Sequence, residues 1–103
     1  MDTRLEDIKG IDFTTVASTA FSSLHGENQL AVAERLAVLK QNFMHWLEVG
    51  EVKELPLFPK QKTYTFDYRY LKIIFGFDSH NEIQVIDIIN KTWWQEHTVN
   101  QVA

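Results

Sequence analysis

The middle of the sequence holds the only stretch with a net positive charge. Residues 51–72 carry five basic and three acidic side chains, a balance of +2, whereas residues 1–50 and 73–103 each have a balance of −3. Clustered lysine and arginine side chains can bind phosphate groups or the acidic surface of a partner. Lysine on an edge strand also prevents sheet-to-sheet aggregation, so the cluster has a purely structural explanation too. The candidate residues are Lys60, Lys62, Arg69 and Lys72.

Two adjacent tryptophans, Trp93 and Trp94, follow Lys91 near the end of the sequence. Neighbouring side chains of one strand point to opposite faces, so both tryptophans cannot be buried on the same side. We therefore expect at least one of them to be exposed or to be covered by a partner. Because an exposed aromatic residue beside a lysine is a frequent anchor of protein interfaces, the pair predicts contact with a protein partner or with a second copy of the chain.

Acidic and histidine side chains offer weaker signals. Asp67 lies within a run of aromatic residues and Asp87 within an apolar run. A buried carboxylate can serve catalysis, but such a group more often faces solvent or pairs with a lysine across the strand. None of the four histidines has a second histidine at the i, i+4 spacing of a helical metal site. We expect neither a metal site nor a cofactor.

Composition excludes several classes of protein. The sequence has no cysteine, which rules out disulfides, thiolate metal ligands and a catalytic thiol. It also lacks a glycine-rich phosphate loop and a Ser–His–Asp order, so nucleotide hydrolysis and dinucleotide chemistry are not expected. The net charge of −4 argues against binding of nucleic acid by bulk electrostatics. Without a signal-peptide pattern or a long apolar run, we expect a cytoplasmic protein that does not contact a membrane.

The 103 residues predict a single domain over 1–103, with a polar tail from about residue 95. A short strand is expected within the segment Ile8–Phe13, where Ile11 and Phe13 alternate with polar neighbours. A first helix follows, capped by Asp12, Thr14 or Thr15 and stopped at Gly26. From Asn28, apolar residues recur at helical spacing, which predicts a second helix that ends at Gly50.

Strands are expected in the second half of the chain. Pro56, Phe58 and Pro59 predict an extended connection rather than a central strand or a helix. The apolar residues change phase near Asp67–Tyr70, so we predict two strands joined by a turn there. Residues 78–82 have turn chemistry, and the β-branched residues 83–89 are typical of an inner strand. The predicted class is α+β: an N-terminal strand, a two-helix hairpin and an antiparallel three-strand meander with the helices packed on one of its faces.

This order of elements resembles the RelE/ParE superfamily of bacterial toxin–antitoxin systems over about residues 6–92. In that family a first strand leads into a helical hairpin, followed by a link of the form Gly-x-x-x-x-Leu, by strands with an aromatic-Arg pair, and by a last apolar strand with basic residues. The matching pieces are Ile11–Phe13, the helices that end at Gly50, Val52–Leu55, Tyr64–Phe66, Tyr70–Phe75 and Ile83–Lys91.

The resemblance implies one of three functions. The RelE branch cleaves messenger RNA on the ribosome without a metal, and the positions that could stabilise the reacting phosphate are Lys60, Lys62, Arg69, Lys72 and Lys91, with Tyr70 and Trp93 able to stack on a base. However, Lys72 stands where the family has arginine, and lysine lacks the bidentate fork that arginine presents to phosphate. The resemblance therefore favours a protein that acts by contact with a cognate antitoxin or another protein. A non-toxic, acidic binding or immunity-type protein is the remaining alternative.

Overall fold

The computed structural model describes residues 11–56 and 61–94, apart from the side chains of Trp93 and Trp94. The predicted polar tail lies outside the described residues, as do Lys60, Phe58 and Pro59. The elements in chain order are β1 (Ile11–Phe13), α1 (Thr15–Ser22), α2 (Gly26–Val49), β2 (Val52–Leu55), β3 (Thr63–Tyr68), β4 (Leu71–Phe77), β5 (Ile83–Asn90) and α3 (Lys91–Trp94).

The described strands form one mixed sheet in the order β1-β5-β4-β3-β2. Neighbours from β2 to β5 are antiparallel, whereas β1 runs parallel to β5. A parallel pair needs a long crossover, which the helices and the meander supply between β1 and β5. The α+β class is thus confirmed, but the expected three-strand meander is wrong in detail: the meander has four strands, and the N-terminal strand extends the same sheet.

The extra strand is β2, which falls where the sequence predicted only an extended connection. It pairs with β3 through Val52↔Phe66 to Leu55↔Thr63 and lies at the edge of the sheet. The strand ends immediately before Pro56. Because an edge strand tolerates a proline at its end, that residue limits the length of β2 without preventing its pairing.

The predicted reversal between the third and fourth strands is confirmed. Tyr68 pairs with Leu71, so Arg69 and Tyr70 form a two-residue hairpin loop. Arg69 has a φ of 54°, in the left-handed region that tight hairpin loops require. The turn is held by Tyr70, whose carbonyl accepts the N–H of Lys91 at 2.8 Å.

Strand β5 is an inner strand, as expected, and contains a bulge. Ile74 pairs with Asp87 and Phe75 pairs with Val85, which leaves Ile86 as the extra residue. A bulge shifts the side-chain alternation by one position, and this shift explains why Val85 and Ile88 are both buried in the core.

The two long helices begin and end at identifiable residues. Thr14 caps α1, since its Oγ1 accepts the N–H of Ala17 at 3.1 Å. The prediction that Gly26 stops this helix is wrong: α1 ends at Ser22, and Gly26 begins α2. Gly50 ends α2 as predicted, with a φ of 83° that favours glycine.

The core lies between the helices and one face of the sheet. Val32, Leu36 and Leu39 of α2 face strand residues that include Ile73 and Phe75, and all five are almost fully buried. At the end of the core near Phe77, the ring of Phe43 meets three sheet aromatics edge-on. None of the described helices has the length and apolarity needed to cross a membrane.

Candidate functional site

The face of the sheet that points away from the core carries the charged residues. Lys53, Thr65, Asp67 and Lys72 alternate with core residues along β2, β3 and β4, so they share this outer face. Asp67 and Lys72 are directly opposite each other, and Lys53 is opposite Thr65. The hairpin thus places an acid and a base side by side at the centre of the predicted basic region.

Asp67 forms two ion pairs with the predicted lysines. Its Oδ1 lies 3.0 Å from Nζ of Lys72, and its Oδ2 lies 3.5 Å from Nζ of Lys91. The side chain of Lys72 is only 13% exposed, compared with 36% for Lys91 and 43% for Asp67. A partly buried ammonium group requires a nearby opposite charge, and the carboxylate of Asp67 provides it.

A shallow cavity of about 170 Å³ adjoins this ion-pair cluster. Its walls carry two basic and two acidic side chains, so the formal charges of the lining residues balance. The lining residues are Gly50, Glu51, Lys53, Thr65, Phe66, Asp67 and Lys72. The arrangement therefore presents a polar but neutral surface.

The structure does not bring all the predicted catalytic residues together. Among those that the structure describes, only Lys72 and Lys91 meet, through Asp67. Lys62 is distant from Lys72. Its carbonyl oxygen lies beside Gly76, 3.2 Å from the position that a Cβ atom would occupy there. Because Gly76 is four residues from Lys72 along β4, the backbone of Lys62 is roughly 13 Å from Lys72 at the usual strand rise. The guanidinium of Arg69 stacks 5.3 Å from the ring of Tyr68, a residue that packs against the core on the helix side. Lys60 is outside the described residues.

The predicted binding residues have different surroundings. Tyr70 is about half exposed, and its hydroxyl accepts a hydrogen bond from Nδ2 of Asn28 at 2.9 Å. Trp93 and Trp94 lie in the short helix α3, not in the strand assumed from the sequence. Their side chains fall outside the description, so their role stays a prediction.

The two aspartates singled out from the sequence are both on the outer face. Asp67 pairs with Lys72 on the neighbouring strand, which is the structural explanation of this aspartate rather than the catalytic one. Asp87 accepts the N–H of Ile88 at 2.8 Å through Oδ1. Within the described part of the chain, no group of three histidine or acidic residues is arranged to hold a metal ion.

Lys53 was not among the candidate site residues that the sequence indicated. It belongs to the positive stretch, but the segment around it was expected to be a connection rather than a strand. Once β2 pairs with β3, Lys53 is a diagonal neighbour of Asp67 on the same face, a spacing of about 7–8 Å between Cα atoms. The pairing of β2 is thus what brings a third lysine to the cluster.

Comparisons with known proteins identify the fold. No family model matches the sequence, and no curated protein matches it. Among solved structures, the chain is similar to one in the archaeal RelE–RelB complex from Pyrococcus horikoshii OT3, with a TM-score of 0.62 and 12% identity over 79% of this chain and 92% of that chain. It is also similar to one in the toxin–antitoxin complex RelBE2 from Mycobacterium tuberculosis, with a TM-score of 0.58 and 16% identity over 78% and 94% of the two chains.

These identities are low, so the likeness concerns the fold. It confirms, at that level, the resemblance drawn from the order of elements. The chain has the fold of the similar chains in these RelE–RelB and RelBE2 complexes.

Proposed function

We propose that this protein acts by protein contact, as a component of a toxin–antitoxin module or a derivative of one. The observation that carries the proposal is the pairing of Asp67 with both Lys72 and Lys91. These two lysines are among the residues to which the resemblance would assign RNA cleavage. The fold supports the toxin–antitoxin setting, because both similar structures are toxin–antitoxin complexes.

The charge of this face argues against RNA cleavage. Stabilising the pentavalent phosphate of an attacked RNA strand requires positive charge that is available to the substrate. Here Lys72 and Lys91 share the single carboxylate of Asp67, which lowers the charge of this group, and Arg69 is directed towards Tyr68. Ribonuclease activity remains the alternative function, since Lys72 and Lys91 do converge.

The outer side of α2 is the contact surface that we propose. At 100° per residue, its exposed apolar residues lie about 105–155° around the helix from the centre of the buried stripe of Val32, Leu36 and Leu39. Exposed apolar side chains on one side of a helix suit an amphipathic partner helix. We propose that the partner is an antitoxin-type polypeptide that lays such a helix on Leu30, Val38, Met44 and Val49.

Co-expression with the product of the neighbouring open reading frame tests this proposal. Met44 is 66% exposed, so Met44→Glu should leave the fold intact while it weakens capture of the partner. Ser79→Glu adds the same charge in the exposed turn between β4 and β5 and serves as the control. Equal capture by the wild type and Met44→Glu would contradict the proposed surface.

The salt dependence of the same capture separates the apolar contact from an acidic binding function. An apolar contact should persist between about 50 and 500 mM salt, because screening acts on charges. Steep weakening over that range would instead favour the non-toxic acidic protein that neutralises a basic partner.

A further inference from the structure

All the acidic side chains of α2 lie on the outer side of this helix. Glu27, Glu34 and Glu48 are exposed, and at 100° per residue they lie about 145–170° around the helix from the centre of its buried stripe. Glu34 follows Glu27 by one heptad, and Glu48 follows Glu34 by two, with the exposed Gln41 at the position between them. The three side chains, which we call the glutamate row, thus run along the proposed contact surface with about 10 Å of helix per heptad.

The basic side chains of α2, Arg35 and Lys40, lie nearer the buried stripe and already have partners. The guanidinium carbon of Arg35 lies 5.9 Å from the centroid of the Trp46 ring, and Nζ of Lys40 lies 3.6 Å from Oε2 of Glu82. No glutamate of the row has a lysine or arginine three or four residues away, the spacing of ion pairs within a helix. Over residues 11–56 and 61–94, the glutamate row therefore carries negative charge without an ion-pair partner.

The exposed apolar residues of α2 are direct neighbours of the glutamate row. Glu34 has Leu30 four residues before it and Val38 four residues after it, and such residues are adjacent on a helix surface. Glu48 likewise follows Met44 by four residues. A helix that covers the apolar side chains must therefore also meet the glutamates. Because carboxylates that lose water on contact are costly unless they are paired, this surface disfavours a neutral or acidic helix.

We infer that the partner helix of the proposed function is basic as well as amphipathic, with lysine or arginine at heptad intervals facing Glu27, Glu34 and Glu48. Two helices that pack with a small crossing angle keep the same rows in contact from one heptad to the next, which matches the spacing of the glutamates. The apolar contacts hold the helix at high salt, whereas the glutamate row selects which helix is accepted.

A second copy of this chain does not suit the surface, because two glutamate rows would bring like charges together. The inference rests on the proposed contact surface and names the chemistry of the partner. Its test needs no natural partner, so its result is separate from the capture experiment with Met44→Glu.

The test uses two synthetic amphipathic peptides of about three heptads, identical except at one position of each heptad. Leucines flank this position, which is lysine in one peptide and glutamate in the other. Titration of the labelled wild-type chain with each peptide at about 50 mM salt, followed by the NMR shifts of the α2 amide signals, measures the two dissociation constants. We expect the lysine peptide to bind about tenfold or more tightly than the glutamate peptide, the combined effect of three exposed ion pairs.

Glu34→Gln combined with Glu48→Gln removes two charges of the row and keeps the size of the side chains. This double variant should bind the lysine peptide about threefold or more weakly than the wild type. Asp12→Asn combined with Glu54→Gln is the matched control, because it makes the same change in net charge at exposed positions of β1 and β2. The control should bind the lysine peptide as the wild type does.

Three results would overturn the inference: equal binding of the two peptides by the wild type, an equal loss of binding in the two double variants, or no saturable binding of the lysine peptide. A Met44→Glu variant that still captures the neighbouring gene product would contradict the proposed surface for that partner. It would leave the measured preference of the glutamate row for a basic helix as it is.

Discussion

The coupling between Asp67 and Lys72 is measurable by a double-mutant cycle with Asp67→Asn, Lys72→Met and the double variant. The atoms are 3.0 Å apart, and one side chain is 13% exposed. Exposed ion pairs contribute about 0.2–1 kcal/mol, and the burial of Lys72 places this pair at the upper end, about 1 kcal/mol. Urea unfolding at low salt measures the four free energies of unfolding.

Salt provides the internal check on this value. At 1 M NaCl the Debye length falls to about 3 Å, so the coupling should drop to less than about 0.5 kcal/mol. The cycle for Lys40 and Glu82, which are 3.6 Å apart and more exposed, is the control and should give about 0.3 kcal/mol or less. A low-salt coupling of Asp67 and Lys72 no larger than this control, or one unchanged by salt, would refute the reasoning.

Three further predictions concern the fold. Leu36→Ala, in the buried stripe of α2, should lower the free energy of unfolding by about 2–5 kcal/mol, whereas Met44→Ala on the exposed side should change it by less than about 0.5 kcal/mol, both measured by urea unfolding. Gly50→Ala should destabilise by about 1 kcal/mol because of its φ of 83°, while thermal unfolding of Gly26→Ala, where no positive φ is required, should show no comparable loss. The backbone N–H group of Glu82, and to a smaller extent that of His80, donates to the carboxylate of Asp78 and holds its pKa below the ordinary value of 3.8. The wild type should therefore be more stable than Asp78→Asn at neutral pH. A pH series of unfolding measurements should show this difference in stability fading as the pH falls through and below 3.8.

Local patterns in the sequence were sufficient to predict the hairpin and the inner strand. The change of phase near Asp67–Tyr70 is a direct consequence of the two-residue loop, because Tyr68 and Leu71 both face the core side. The β-branched residues of β5 fit a strand with neighbours on both sides. These features depend on adjacent residues, which is why the sequence alone indicates them.

Pairings between distant segments were not predictable in this way. β1 has three residues, and its parallel pairing of Ile11 with Ile83 spans most of the chain. β2 has four residues and no alternating pattern of its own, so its proline-containing surroundings suggested a connection. The strand β1 was expected from its own residues but its pairing partner was not, whereas β2 is defined by its partner rather than by its own propensity.

The error at Gly26 and the omission of Lys53 have similar causes. Glycine occurs both just after a helix and near the start of one, and only the backbone conformation distinguishes the two positions. Lys53 joins the site because β2 pairs with β3, so missing the strand meant missing the residue. In contrast, Lys72 was predicted because it lies beside the hairpin that the sequence did indicate.

Cleavage of messenger RNA on purified ribosomes is the most direct test of the account, which holds that Asp67 lowers the positive charge that the outer face offers to RNA and that the protein acts by contact. Primer extension would reveal cut transcripts, with an active RelE toxin as the positive control. We predict no cleavage by the wild-type chain at concentrations where the control cuts. Cleavage by the wild type that Lys72→Ala abolishes would contradict the central claim.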